Sequence, residues 1–122
     1  MTWWQQITKW WHSISGADTR MTAVELQDAL TAKTPLYILD VRSAQEYKND
    51  GHIAGAHLIP LGDLAGKLKQ VPTDRTVVCV CRSGARSSAA LAQLQRAGYT
   101  NVRNLAGGMM GWQASGLPTK RK

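Results

Sequence analysis

The sequence predicts an α/β domain, a parallel sheet with helices on both faces. Three observations carry that reading. Leu36-Tyr37-Ile38-Leu39 and Thr76-Val77-Val78-Cys79-Val80 are apolar without alternation, the pattern of strands buried on both faces. Two capping boxes, Thr22-Ala23-Val24-Glu25 and Ser43-Ala44-Gln45-Glu46, mark helix starts around the first of these runs. Strands then keep alternating with helices, which requires crossover connections and hence parallel pairing.

Each element follows from its residues. Within residues 1–18, Trp3, Trp4, Ile7, Trp10, Trp11 and Ile14 fall on an arc of roughly 120° at about 100° per residue. Gln5, Lys9, His12 and Ser13 face the other way. This is an N-terminal amphipathic helix ended by Ser15-Gly16. The main domain is expected over residues 19–118, with a basic tail at 119–122. A helix runs from the Thr22 cap to about Ala32 with Val24, Leu26 and Leu30 inward. A short helix follows Ser43 and stops at Gly51. Ala56 to Ile59 reads as a short strand ended by Pro60, and Leu61 to Val71 as helical despite Gly62 and Gly66. Ser87 to Ala97 is a helix with Gly98 as its left-handed cap. Asn101 to Leu105 is the last strand, before a Gly-rich turn and a short helix over Met110 to Ser115.

Composition narrows the function. The 122 residues fit one domain with its own core. The net charge of +7 favours anionic partners. The basic residues are dispersed, however, and only Lys120-Arg121-Lys122 forms a run, so a solvated tail is expected and no nucleic-acid partner. Cys79 and Cys81 are too close in sequence for a useful disulfide. No run is long and apolar enough for a transmembrane span or a secretory signal. A reducing cytoplasm is the expected location. The Trp-rich face of residues 3–14 needs a cover. Packing on its own domain and self-association both meet that need. A lipid surface fits less well, because the polar face offers only Lys9.

The chemistry concentrates in Cys81-Arg82-Ser83-Gly84-Ala85-Arg86-Ser87, between a buried strand and a helix. Ligands bind at the carboxyl ends of strands in open α/β sheets. A turn from strand to helix there gathers backbone N–H groups into a concavity, and the helix N-terminus adds positive potential. Gly84 permits the turn because it adopts positive φ without steric cost. A cysteine at the mouth of such a cradle is a depressed-pKa nucleophile, helped by Arg82 and Arg86. Taken singly, a cysteine closing an apolar strand is packing and an arginine in a first helical turn is surface. Cys79, flanked by valines, keeps the packing role. Cys81 opens a loop that packing does not require.

Over roughly residues 20 to 117 the chain resembles the rhodanese family. The matching signals are Leu39-Asp40-Val41-Arg42 with Glu46 and Tyr47, then Gly51-His52-Ile53-Ala54-Gly55-Ala56 leading to Ile59-Pro60. The Cys81 loop and Gly107-Gly108-Met109-Met110-Gly111-Trp112 complete the set. The resemblance implies a rhodanese-like open parallel sheet and a sulfurtransferase. Cys81 would accept sulfur as a persulfide from a donor such as thiosulfate and pass it to a thiol, cyanide or a sulfur-accepting protein. The N–H groups of residues 82 to 86 would form the cradle, with Arg82, Ser83, Gly84, Ala85 and Arg86 binding substrate and the two arginines supplying charge. No metal or organic cofactor is implied.

Other matched residues read as structural. Asp40, Arg42 and Glu46 suit a charge-paired set holding the loops. His52 and His57 can be acid–base groups, but the family pattern makes the histidine before Ile-Ala-Gly-Ala a loop organiser. A zinc site on Cys79, Cys81 and a histidine lacks a second ligand pair. Trp112 either lines the pocket rim or packs in the core. Two rival functions remain. A phosphatase or arsenate reductase on this scaffold places its arginine six positions after the cysteine, whereas Arg86 is five positions on and Ser87 holds the sixth. A non-catalytic binding module would tolerate loss of the cysteine, which is present here.

Overall fold

The computed structural model describes residues 19–121. The expected N-terminal helix of residues 1–18, and Lys122 of the tail, lie outside the described residues.

Strand β1 (Arg20–Met21) precedes helix α1 (Ala23–Thr31), and β2 (Leu36–Asp40) precedes α2 (Ala44–Asn49). Then come β3 (His57–Leu58), a 3₁₀ segment (Leu61–Gln70), β4 (Thr76–Val80), α3 (Ala85–Arg96), β5 (Val102–Leu105) and α4 (Gly108–Ala114). The sheet order is β1-β5-β4-β2-β3, with every pairing parallel. The most apolar strand, β4, lies at its centre. Its residues Thr76 to Val80 pair in register with Leu36 to Asp40.

Alternation along β4 divides the core between two faces. Val77, Cys79 and Cys81 pack with Leu39, Leu64 and the α3 residues Ala90, Leu91 and Leu94. Val78 and Val80 pack on the other face with Ile38, Leu26, Met109 and Trp112. Trp112 is therefore core, its indole N–H donating to the Pro118 carbonyl at 2.8 Å.

Both capping boxes form. The Thr22 hydroxyl accepts the Glu25 N–H at 3.1 Å while Glu25 accepts the Thr22 N–H at 2.8 Å, and Ser43 and Glu46 repeat the exchange. Val24 departs from the expected inward position and is 60% exposed. Leu26 is buried as expected, and the rest of the buried stripe of α1 is Ala23 and Ala29, small residues at helical spacing whose burial apolar bulk does not signal. Strand β1 was not anticipated. Two residues carry no periodicity, and only pairing with Asn104 and Leu105 makes them a strand. The expected helix over Leu61 to Val71 is a 3₁₀ segment kinked at Lys67, with Leu64 its buried anchor. Gly62 and Gly66 weaken a regular α-helix there.

The C-terminal tail is held by its backbone. Lys120 and His52 exchange N–H to carbonyl bonds of 2.7 Å in both directions. No helix among the described residues is long and apolar enough to cross a membrane.

Candidate active site

The site grows from the carboxyl end of β4. Cys81 leaves the sheet directly after Val80, and the chain turns at Gly84, whose φ of 119° is open to glycine alone without strain. Helix α3 starts at Ala85, two residues earlier than expected. Ala85 and Arg86 thus belong to its first turn, and their N–H groups are among those that a helix leaves unpaired.

The Gly84 N–H donates to Cys81 Sγ at 3.0 Å, and the Ser87 hydroxyl lies 3.3 Å from the same sulfur. Cys81 itself is only 1% exposed, at the base of the loop. Burial pushes its thiol pKa up. The Ser87 hydroxyl and the backbone groups of Ser87, Gly84 and Ser83 together outweigh that, so the net shift is downward. Cys79, two residues earlier on the same face, shows burial without such donors. Its thiol is pushed up to about 12, by burial first and by the neighbouring Cys81 second. Two cysteines of one face are thereby shifted in opposite directions, Cys81 down and Cys79 up.

Ser87 and Asn104 are site residues that the sequence reading did not assign. The Ser87 hydroxyl also contacts Asn104 Oδ1 at 2.5 Å, and Asn104 Nδ2 donates to Ser88 Oγ at 2.8 Å. The signal for Ser87 was its place in the first turn of α3, where a side chain can point back at the loop. Asn104 reaches the site only because β5 lies beside β4.

The charges are arranged differently from the expected triad of Asp40, Arg42 and Glu46. Asp40 and Arg42 pair at 2.7 Å, both fully buried, and Arg42 also donates to the Gly51 carbonyl at 2.9 Å. Glu46 pairs instead with Arg86, whose two guanidinium nitrogens reach its oxygens at 2.6 and 2.8 Å. The Arg86 hydrogen bond is the first cause holding the Glu46 carboxyl down at about 2. Arg86 therefore braces the loop against α2. Arg82 is exposed and faces a cleft beside α4.

The two histidines have structural surroundings. His52 stacks on Tyr47 with ring centroids 3.7 Å apart, and its Nδ1 is 3.0 Å from the Tyr47 carbonyl. His57 stacks on Tyr37 at 4.2 Å.

The Gly107-Gly108 pair explains itself on the far side of the loop. Gly108 has a φ of 57°, and a Cβ there would stand 2.5 Å from the carbonyl oxygens of Cys81 and Arg82. This contact lets the Met109 and Met110 N–H groups donate to those carbonyls at 2.8 and 3.0 Å. The first turn of α4 thus fixes the loop from behind.

A central parallel strand, a cysteine at its carboxyl end beside the Gly84 N–H and the Ser87 hydroxyl, and a glycine turn into a helix define the class of this α/β domain. The chain belongs to the rhodanese-like domain family, whose profile matches residues 22–115. A sulfurtransferase of Allochromatium vinosum is 38% identical over 93 residues, covering 76% of this chain and 86% of that protein. The chloroplastic thiosulfate sulfurtransferase 16 of Arabidopsis thaliana is 34% identical over 94 residues, covering 67% of this chain and 78% of its own. Among solved structures, a rhodanese-related protein from Thermoplasma volcanium superposes with a TM-score of 0.76 at 30% identity, covering 84% of this chain and 98% of its own. Both curated relatives are named sulfurtransferases, which supports sulfur transfer as the general activity of the family.

Proposed function

We propose that the protein is a sulfurtransferase that carries sulfane sulfur as a Cys81 persulfide, taking it from thiosulfate or a persulfide donor. The observation that carries this reading is the Gly84 N–H donating to Cys81 Sγ at 3.0 Å where the loop turns into α3. That donor favours the thiolate, which is the attacking species.

In the first half-reaction the Cys81 thiolate attacks the outer sulfur of thiosulfate. An Sγ–S bond forms, the S–S bond of thiosulfate breaks, and sulfite leaves with the electron pair. The new terminal sulfur is an anion, and the N–H groups of the loop would stabilise it there. In the second half-reaction a thiolate, cyanide or the thiol of a sulfur-accepting protein attacks that terminal sulfur. The Sγ–S bond breaks and its electron pair returns to Cys81. Both steps conserve electrons and use no metal or organic cofactor. They need Cys81 reduced, which suits a reducing compartment such as the cytoplasm.

The assay is incubation with thiosulfate and cyanide, following thiocyanate, beside a parallel incubation with an aryl phosphate. Thiocyanate release without phosphate release is the expected result. Phosphate release alone would make the protein a phosphatase, and neither product would leave a binding module.

A further inference from the structure

Asn104 pairs in register with Cys79 of β4, two residues before Cys81. Its backbone is fixed from the other side as well, by pairing with Arg20 and by a 2.7 Å bond from its N–H to the Thr19 carbonyl. The half-buried side chain thus reaches the start of α3 from a strand held on both edges.

The hydrogens around it can be assigned. Three acceptors surround the Ser87 hydroxyl: Asn104 Oδ1 at 2.5 Å, the Gly84 carbonyl at 3.1 Å and Cys81 Sγ at 3.3 Å. A hydroxyl has one hydrogen to give. The other end of the Asn104 amide lies 2.8 Å from Ser88 Oγ and 3.4 Å from the Gly84 carbonyl. A carbonyl only accepts, so the amide NH₂ faces it and Oδ1 faces Ser87. Ser88 donates its own hydrogen to the Gly84 carbonyl at 2.8 Å and can accept from that NH₂. Oδ1 carries no hydrogen, so the 2.5 Å contact uses the one on Ser87. Ser87 Oγ then presents only lone pairs to Sγ, and the Cys81 S–H is the donor between them. This is the arrangement of a thiol. A thiolate in its place would face those lone pairs until the hydroxyl turned.

We propose that Asn104 is a positioning residue for sulfur transfer, holding the Ser87 hydroxyl hydrogen while Cys81 is a thiol and yielding it to Sγ whenever that sulfur bears the negative charge. The proposal rests on the sulfur-transfer reading and deepens it. On activation the Cys81 proton goes to solvent, the Ser87 O–H bond stays intact, and the hydroxyl rotates about Cβ–Oγ from Oδ1 to Sγ. When Sγ bonds the transferred sulfur, the charge moves to the outer atom and the hydroxyl returns to Asn104. When an acceptor takes that sulfur, the electron pair comes back to Sγ and the hydroxyl turns again. Asn104 competes with the thiolate for the hydrogen, which makes Cys81 a stronger nucleophile and a poorer leaving group.

The test is the pH profile of iodoacetamide alkylation, followed at Cys81 by mass spectrometry, in the unsubstituted chain, Asn104→Leu, Ser87→Ala and the double variant. The titratable groups around Cys81 are the same in all four. They are Cys79 on β4, Arg82 on the loop, Arg86 on α3 with its partner Glu46 on α2, and Asp40 with Arg42 after β2. Asn104→Leu should lower the midpoint, speed alkylation below it by about two- to fourfold, and lower the high-pH plateau by about twofold. Added to Ser87→Ala it should change nothing, because no hydroxyl hydrogen is left to release. Burial raises the Cys81 pKa and the loop's hydrogen bonds more than offset it, so simple loosening of the loop moves the midpoint up. A midpoint that rises or stays in Asn104→Leu, or one that falls equally without the Ser87 hydroxyl, would overturn the proposal. A second measurement needs no change at Asn104. The carbon resonance of its side-chain carbonyl should move with the Cys81 midpoint in the unsubstituted chain and stay fixed in Ser87→Ala; a resonance that does not move in the unsubstituted chain overturns the proposal equally. Alkylation uses no sulfur donor, so these outcomes are independent of whether Cys81 gains sulfur from thiosulfate, and the two readings fail separately.

Discussion

Arg86 grips both carboxylate oxygens of Glu46, at 2.6 and 2.8 Å, across forty residues of sequence. The pair ties the first turn of α3 to the first turn of α2 and so sets the position of the loop between Cys81 and Arg86. Arg86→Ala and Glu46→Gln should therefore slow thiosulfate turnover to similar extents, and the double substitution should slow it little further. A neutral persulfide donor should suffer by the same factor. Selective loss with thiosulfate alone would mean that Arg86 binds the anion. The pair also carries a pH signature. The Glu46 carboxyl is held down from 4.5 to about 2 in the folded chain. Its contribution to stability is therefore complete above the ordinary carboxylate range and is lost as pH falls toward about 2. Denaturant titrations of the unsubstituted chain and Glu46→Gln should differ at neutral pH, by about 1 kcal/mol or less for a partly exposed pair, and converge near pH 2.

Ser87 should tune the nucleophile. Its hydroxyl is the largest of the influences that lower the Cys81 pKa against the opposing effect of burial. Ser87→Ala should move the pH midpoint of iodoacetamide alkylation upward and slow sulfur transfer near neutral pH by about tenfold, as for loss of a hydrogen bond to a charged group. An unmoved midpoint would assign the thiolate's stabilisation to the backbone N–H groups alone.

Much of this site was legible in the residues, for a physical reason. Strand β4 announces itself by continuous apolarity, both caps by their Ser or Thr and Glu spacing, and the Cys81 turn by Gly84. These are local signals. What escaped depends on neighbours brought together by the sheet. Asn104 meets Ser87 because β5 lies against β4, Glu46 meets Arg86 across α2 and α3, and β1 exists only through β5. Val24 was misplaced because helix phase is set by what the helix packs against, and Ala23 and Ala29 fit closely where Val24 does not. The tail's charge suggested a solvated end, whereas its backbone pairs with His52.

Gly108 gives a sharper test of how the loop is supported. A methyl group there meets the Cys81 and Arg82 carbonyl oxygens at 2.5 Å on a backbone of positive φ. Gly108→Ala should cost about 2–3 kcal/mol of stability, the upper part of the ordinary range for single substitutions. It should also lower sulfur transfer in protein that remains folded. Denaturant unfolding and turnover of the same preparation check both. Gly62→Ala, in open space on the 3₁₀ segment, should do neither.

The central claim is that Cys81 carries the sulfur. Intact-mass measurement after exposure to thiosulfate tests it most directly, on the unsubstituted chain, Cys79→Ser and Cys81→Ser. The account predicts a gain of one sulfur atom in the unsubstituted chain and in Cys79→Ser, removed by cyanide, and no gain in Cys81→Ser. A sulfur adduct that persists in Cys81→Ser, or that disappears in Cys79→Ser, would contradict it.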